Sequence, residues 1–177
     1  MNYYDFYESP MGKMLIVAAD EGLRGLYFID QKYYREVESD WTHAPKHPVV
    51  RQTAREMQEY FAGNRRVFDV PLAAEGTPFQ ARVWKAISSV KYGASITYAE
   101  LARRAGHPDA VRAAGTATGR NPITIIVPCH RIVGSDGSLT GYAGGLDRKR
   151  ALQELESGTR PLFTATAKRE RSSQPSP

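Results

Sequence analysis

Apolar and polar positions change their period partway along the chain. Residues 1–30 follow a strand pattern: "MLIVAA" (Met14–Ala19) and "LRGLYFI" (Leu23–Ile29) are β-rich runs separated by the turn residues Asp20-Glu21-Gly22. The aromatic "NYYDFYE" before them suits a third antiparallel strand. An irregular stretch leads to Pro48. There "PVVRQTAREMQEYFAG" sets Val50, Ala54, Met57 and Phe61 at spacings of four and three, with proline at the start and Gly63 as the stop, which predicts a helix. "VFDV" (Val67–Val70) predicts a return to the sheet. Together these segments predict a small α+β unit ending near Glu75-Gly76.

From residue 77 the pattern is helical. Thr77-Pro78-Phe79-Gln80 combines a threonine N-cap, proline in the first turn and glutamine three residues on, a capping box opening a helix with Phe79, Val83 and Ile87 on one face. Thr97-Tyr98-Ala99-Glu100 is a second capping box, opening a short helix through Leu101, Ala102 and Ala105. Gly106-His107-Pro108 breaks it, and a third helix runs from about Asp109 to Thr118. Two short helices joined by a three-residue Gly/Pro turn match a helix-turn-helix, although such pairs also occur as plain packing units. A fourth helix covers Asp147–Ser157 and ends at Gly158. Beyond it, "TATAKRERSSQPSP" has little to bury, and residues 161–177 are expected to form a disordered basic tail.

Charge sharpens the division. Residues 1–75 carry 9 Lys/Arg against 12 Asp/Glu, whereas residues 76–177 carry 15 against 7. A basic second part points to a polyanionic partner; the plainer alternative is a solvated surface with an uneven tail. The third helix, "DAVRAAGTATG", consists of small residues with one long cation, Arg112. Such a helix can approach another surface closely, either nucleic acid or its own protein with Arg112 in a surface ion pair.

At 177 residues, with 41% hydrophobic and 24% charged side chains, the composition is that of an ordinary globular chain. No run of 18 apolar residues offers a membrane span, and "MNYYDFYESP" lacks the basic and apolar regions of a secretory leader. A single cysteine excludes an intrachain disulfide and the thiolate clusters of structural zinc. A reducing, cytoplasmic setting is therefore expected.

That cysteine, Cys129, lies in "NPITIIVPCHRIVG" directly before His130. A lone buried cysteine is usually a small hydrophobe. Here "TIIV" resembles a buried strand and Pro128 disfavours its continuation, so the thiol is expected where a strand stops. In an extended strand Cys129 and His130 would point to opposite faces, so a Cys–His pair needs a turn, with a water as the natural relay. A thiol is only slightly ionised at neutral pH and needs a base, and the base needs an orienting partner. Glu156 is the candidate. It lies about 40° around the fourth helix from the buried-stripe residue Leu152. A carboxylate there either snorkels outward or meets a buried partner.

These residues resemble the O6-alkylguanine-DNA alkyltransferases (methylated-DNA–protein-cysteine methyltransferases). The similarity is carried by "PCHRIV", the preceding "NP" with Asn121, the "GYAGG" loop at Gly141–Gly145, "LQELESG" and "KYGASITYAELARRAG" with the arginine-bearing helix after it. It spans Thr77–Gly158 strongly and the first 75 residues more weakly.

The resemblance implies an α+β fold. A small N-terminal antiparallel-sheet α/β domain of ribonuclease-H-like type (1–75) would precede a mostly helical, winged-helix-like domain containing the helix-turn-helix (76–160). The implied activity is irreversible transfer of an alkyl group to Cys129 from O6-alkylguanine, with O4-alkylthymine as an open second substrate. His130 would take the thiol proton through a water, with Glu156 orienting it. Tyr98 would protonate guanine N3, and Asn121 would hold the turn joining the helices to the cysteine loop. Arg112 would enter duplex DNA from the minor groove and fill the space of the flipped nucleotide. Ala113 and Ala114 would permit close approach, with Ala99, His107 and Ser135 as further DNA contacts. Tyr142, Ala143, Val127 and Ile132 would wall the pocket. The implied partner is double-stranded DNA carrying the lesion, bound by a monomer without cofactor, metal or membrane.

Departures from the family pattern are also visible. Val111-Arg112-Ala113-Ala114-Gly115 stands where the family often has Ala-Arg-Ala-Val-Gly, and the zinc-binding cysteines of some relatives are absent. Cys129 argues against the branch that lacks the cysteine and only marks lesions. Thr124 and Thr140, expected near the pocket rim, would limit bulky adducts. Two other readings use the same residues. A Cys-His hydrolase would turn over repeatedly on an acyl substrate, and a non-catalytic helix-turn-helix binder would be indifferent to Cys129→Ala.

Overall fold

The computed structural model describes residues 1–158; the expected tail lies outside them. Three antiparallel strands, β1 (Tyr3–Ser9), β2 (Gly12–Ala19) and β3 (Gly22–Phe28), form the sheet foreseen from the first 30 residues. A short fourth strand, β4 (Thr42–His43), joins the edge parallel to β1 and gives the order β3-β2-β1-β4. Its two residues carry no period for a pattern to reveal. β2 is buried from Met14 to Ala19 because the sheet is covered on both faces. On one face lies helix α1 (Pro48–Phe61); on the other, a cluster of Leu15, Val17, Tyr27 and Trp41.

Helix α1 begins where Pro48 places it. The side chain of His47 caps it, accepting from Val49 N at 3.2 Å. Its buried stripe runs Val49, Val50, Thr53, Glu56, Met57, Tyr60 and Phe61. It is wider than the apolar positions alone marked out, because Thr53 and Glu56 are buried with local partners. Thr53 Oγ1 donates to Val49 O (2.8 Å), and Glu56 Oε1 accepts from Asp69 N (2.9 Å) and Val70 N (3.2 Å). That carboxylate explains why Val67–Val70 is not a strand: it takes two amides a ladder would have used. The chain instead meets the sheet at Leu72, through a single bridge to Leu23.

Helix α2 (Pro78–Ser88) carries the complete capping box expected at Thr77 and Gln80. At α3 (Tyr98–Arg104) only half of the second box forms. Thr97 Oγ1 accepts from Glu100 N at 3.1 Å, but the Glu100 carboxylate turns to Arg103 and Arg104. Two guanidiniums outcompete one backbone amide. After residues 105–110, α4 (Val111–Gly119) packs against both α2 and α3. Trp84 Nε1, donating to Ala117 O at 2.9 Å, ties α2 to α4. A two-stranded parallel ribbon, β5 (Ile96–Thr97) with β6 (Ile132–Val133), links the entry of α3 to the segment after the cysteine. Helix α5 (Leu146–Ser157) closes the described chain, with Gly158 as its left-handed cap (φ +75°). One buried cluster runs from Met14 on β2 to Leu155 on α5, so the sheet and the helices share a core. No helix among the described residues is long and apolar enough to cross a membrane.

Candidate active site

Residues 121–131 are where the structure departs most from the strand expected before Cys129. Ile123–Val127 is a coil of tight turns, with Val127 N bonded to Ile123 O (3.0 Å) and Ile125 in the left-handed region at φ +70°. It meets the sheet at one isolated parallel bridge, Ile123 beside Leu26, closed by Leu26 N to Pro122 O (2.8 Å) and Thr124 N to Leu26 O (3.0 Å). Asn121 makes the coil possible. Its Oδ1 accepts from Ile123 N (2.9 Å), while its Nδ2 lies 2.8 Å from Val127 O, 3.2 Å from Ile123 O and 3.2 Å from Cys129 Sγ. A buried amide thus adds a second donor to two carbonyls that the turns already pair, Ile123 O with Val127 N and Val127 O with Cys129 N (2.8 Å), and ties the coil together. β-branched composition imitated a strand that Asn121 dismantles.

Cys129–Arg131 is a single 3₁₀ turn, the turn that a Cys–His pair requires. His130 is fully buried, with Nε2 2.6 Å from Glu156 Oε2. Glu156 therefore meets a buried partner, and more than one. Arg131 donates from Nε to Oε1 (2.9 Å) and from Nη2 to Oε2 (3.0 Å), and the hydroxyl of Tyr60, from α1, donates to Oε2 at 2.7 Å. Burial raises the Glu156 carboxyl pKa, but hydrogen bonds and charge from His130 and Arg131 override it and hold the group far below the usual carboxylate range. An ionised carboxylate can only accept, so His130 Nε2 must carry the proton that bonds it. The lone pair is then on Nδ1, which is buried without a partner among the described residues. Burial holds the imidazole below its ordinary pKa, against the pull of Glu156, so it is neutral at pH 7.

Cys129 is buried at the wall of a cavity of about 470 Å³, lined also by Lys32, Tyr33, Tyr98, Gly115 and Tyr142. Burial pushes the thiol up; the Asn121 amide and the charge of Lys149 oppose it without prevailing. The resting group is a thiol that needs a base. Lys149 itself is buried, which pushes it down to about 8. Its Nζ donates to Thr140 O (2.8 Å) and Gly141 O (3.4 Å), fixing the start of the pocket loop. In that loop a Cβ on Gly144 would meet the Tyr142 ring at 2.7 Å, so only glycine fits. Tyr98 donates to Thr140 O at 3.2 Å, and burial raises its pKa, so it remains a proton donor at neutral pH.

The structure brings Cys129, His130, Glu156, Asn121 and Tyr98 together, with Tyr142 and Ala143 on the cavity wall. Several other expectations are corrected. Val127 and Ile132 are buried in the core and do not line the cavity: Val127 ends the coil and Ile132 lies on β6 paired with Ile96, both with side chains in the shared core. Thr124 and Thr140 lie beside the cavity without lining it: Thr124 is buried with its Oγ1 3.0 Å from the hydroxyl of the wall residue Tyr142, and the Thr140 carbonyl accepts from the wall residue Tyr98. Ala114, foreseen as a surface contact, is wholly buried; it sits on the face of α4 that packs inward. Arg112, Ala113, Ala99 and Ser135 are exposed, and His107 is half-buried against the Phe79 ring. Arg112 forms no ion pair among the described residues. Those residues also hold no group of three or more His, Cys, Asp or Glu that could bind a metal. Arg131, Tyr60, Lys149 and the wall residues Lys32 and Tyr33 were not foreseen. Arg131 alone had a signal, as the basic residue following His130.

Fold and site define an α+β protein with one buried thiol at a pocket wall, backed by an imidazole–carboxylate pair. Two family descriptions match the chain: the ribonuclease-like domain of 6-O-methylguanine DNA methyltransferase over residues 2–74, and its DNA binding domain over residues 78–158. The chain belongs to the 6-O-methylguanine DNA methyltransferase family. The methylated-DNA–protein-cysteine methyltransferase of Methanosarcina barkeri is 49% identical over 154 residues, 87% of this chain and 96% of that protein. The Mycobacterium bovis protein of the same name is 43% identical over 161 residues, 91% of this chain and 96% of its own. The crystal structure of Mycobacterium tuberculosis OGT in complex with DNA matches with a TM-score of 0.81 at 40% identity, covering 94% of this chain and 98% of that one.

Proposed function

We propose that this protein repairs DNA by direct reversal, moving the alkyl group of O6-alkylguanine irreversibly to Cys129. The observation that carries this reading is the lone cysteine at a cavity wall, followed by an imidazole whose Nδ1 lone pair is buried and unpartnered. A relay water bridging the thiol and Nδ1 would complete the path. The thiol proton passes to Nδ1, the sulfur attacks the alkyl carbon and an S–C bond forms. The C–O6 bond breaks with its electron pair going to the guanine, which takes a proton at N3 from Tyr98. Glu156 stabilises the imidazolium so formed. The thioether has no leaving group that water would displace, so each molecule acts once. The reaction as written calls for no cofactor.

Its substrate is double-stranded DNA. A guanine inside a stack cannot reach a buried sulfur, so the nucleotide must flip out, at a cost of a few kcal/mol. In this reading α3 and α4 form the helix-turn-helix and enter the minor groove. The exposed Arg112 fills the vacated space, and Ala113, Ala99, His107 and Ser135 lie along the duplex. The related mycobacterial protein was crystallised with DNA, which supports this partner. The division into units 1–75 and 76–160, action as a monomer and a reducing cytoplasmic setting that keeps the thiol free belong to the same proposal.

The test is to mix the protein with duplex carrying methyl-labelled O6-methylguanine and map the label by peptide mass. Label on the Cys129 peptide, absent in Cys129→Ser, supports transfer. Tight lesion binding without label would indicate a binder, and repeated turnover of an acyl ester would indicate a hydrolase.

A further inference from the structure

The proposed chemistry uses His130 and Glu156 but leaves one group on the same oxygen without a role. Tyr60 comes from α1, 96 residues before Glu156 in sequence, and its hydroxyl reaches Oε2 at 2.7 Å. Its ring is fully buried and held edge-on or tilted against Phe61 (5.4 Å), Phe68 (5.5 Å) and Tyr92 (6.3 Å), so the hydroxyl has one place to point. Packing alone would be served as well by phenylalanine.

Oε2 accepts from three donors: His130 Nε2 (2.6 Å), Tyr60 (2.7 Å) and Arg131 Nη2 (3.0 Å). A carboxylate oxygen has two good acceptor directions, so each added donor weakens the others' share of its charge. We propose that Tyr60 is a positioning residue of the relay, moderating through Glu156 how strongly the carboxylate draws on the His130 proton. The inference rests on the functional reading above and deepens it, giving the sheet-and-helix unit a part in the chemistry.

The groups that act on this pair come from every neighbouring element. Arg131 and His130 lie on the 3₁₀ turn and Tyr60 on α1. Tyr92 and Gly93 lie in the loop before β5, Gly93 N being 3.5 Å from Oε1, and Lys149 lies on α5. Burial and the adjacent carboxylate hold the Tyr60 phenol well above its ordinary pKa, so it donates throughout the working range. Removing that donor leaves Glu156 more basic and His130 easier to protonate. A more basic imidazole is charged, and unable to accept, up to a higher pH.

The experiment is an NMR titration of the His130 ring in the intact protein, with the pH profile of single-turnover transfer measured in parallel. Tyr60→Phe is expected to raise the His130 midpoint by about half a unit or more and move the acid limb of transfer up by the same amount. Difluorotyrosine at position 60, a stronger donor of the same shape, is expected to move both the other way, and it keeps the test open should Tyr60→Phe fail to fold. A slower or less stable Tyr60→Phe whose midpoint and limb stay in place would overturn the inference and leave Tyr60 a packing residue. If the unaltered protein transfers no alkyl group, the functional reading fails, while the His130 titration, which needs no substrate, still decides the inference.

Discussion

Asn121 Nδ2 lies 3.2 Å from Cys129 Sγ while the same amide group is 2.8 Å from Val127 O and its Oδ1 accepts from Ile123 N. One side chain therefore shapes the cysteine loop and touches the sulfur. Asn121→Asp keeps the shape and removes the donors, setting a new buried charge against two carbonyl oxygens and the sulfur. A loss of roughly 2 kcal/mol or more in unfolding free energy is expected, with the lost amide contacts and the cost of a buried carboxylate facing other oxygens as its source. The added carboxylate should also raise the thiol pKa further. Urea unfolding and iodoacetamide titration of Cys129 measure the two effects; an unchanged midpoint in both would contradict the assignment.

Glu156 is the only carboxylate paired with the buried Arg131 among the described ion pairs. Glu156→Gln would leave that guanidinium without a counter-charge, at about 3–5 kcal/mol. Transfer should fall as well, since the imidazolium loses its partner. Arg131→Met combined with Glu156→Gln should be less destabilised than Glu156→Gln alone. A double-mutant cycle by urea unfolding decides, and additive losses would show that the pair is not coupled.

How far these features could be foreseen depended on whether they are local. The Thr77 capping box, the sheet of β1 to β3 and the proline start of α1 are written within a few residues, and each forms as expected. Ile123–Val127 misled because its residue types suit a strand while its geometry is set by Asn121, outside the run. Ala114 misled because a helix of small residues hides its inward face: without large apolar side chains, no stripe marks which alanine is buried. Tyr60 and Lys149 were invisible as site residues. Their partners are far along the chain or are backbone carbonyls, and no periodicity encodes either.

Arg112 and Ala114 stand two positions apart on α4 with opposite exposures, and their variants should separate binding from stability. Arg112→Ala is expected to slow transfer from duplex by about tenfold or more, the equivalent of ~1.4 kcal/mol of lost contact. It should leave transfer from a free alkylguanine base unchanged. Ala114→Leu should instead cost about 1–3 kcal/mol of stability by overpacking. Equal losses on duplex and free base for Arg112→Ala would remove its DNA role.

Acid should weaken the fold before it reaches the ordinary carboxylate range. His130 and Glu156 both have folded-state pKa values below their ordinary ones, so the unfolded chain binds more protons as pH falls. Their contribution is present above the ordinary histidine range and is lost progressively below about 6.5, and further below about 4. Lys149, held at about 8, works at the other end: stability should rise with pH from there toward the ordinary lysine range. Lys149→Met should lack that rise. Urea midpoints from pH 4 to 10 follow both limbs, and a flat profile from 6.5 to 4 would contradict the buried relay.

The central claim is single, irreversible transfer to one sulfur, and counting tests it most directly. With a large excess of O6-methylguanine duplex, the amount of repaired guanine should plateau at about one per protein. The intact protein should gain the mass of one methylene, and Cys129→Ser should repair none. Repair that continues past one equivalent, or that survives in Cys129→Ser, would contradict the account.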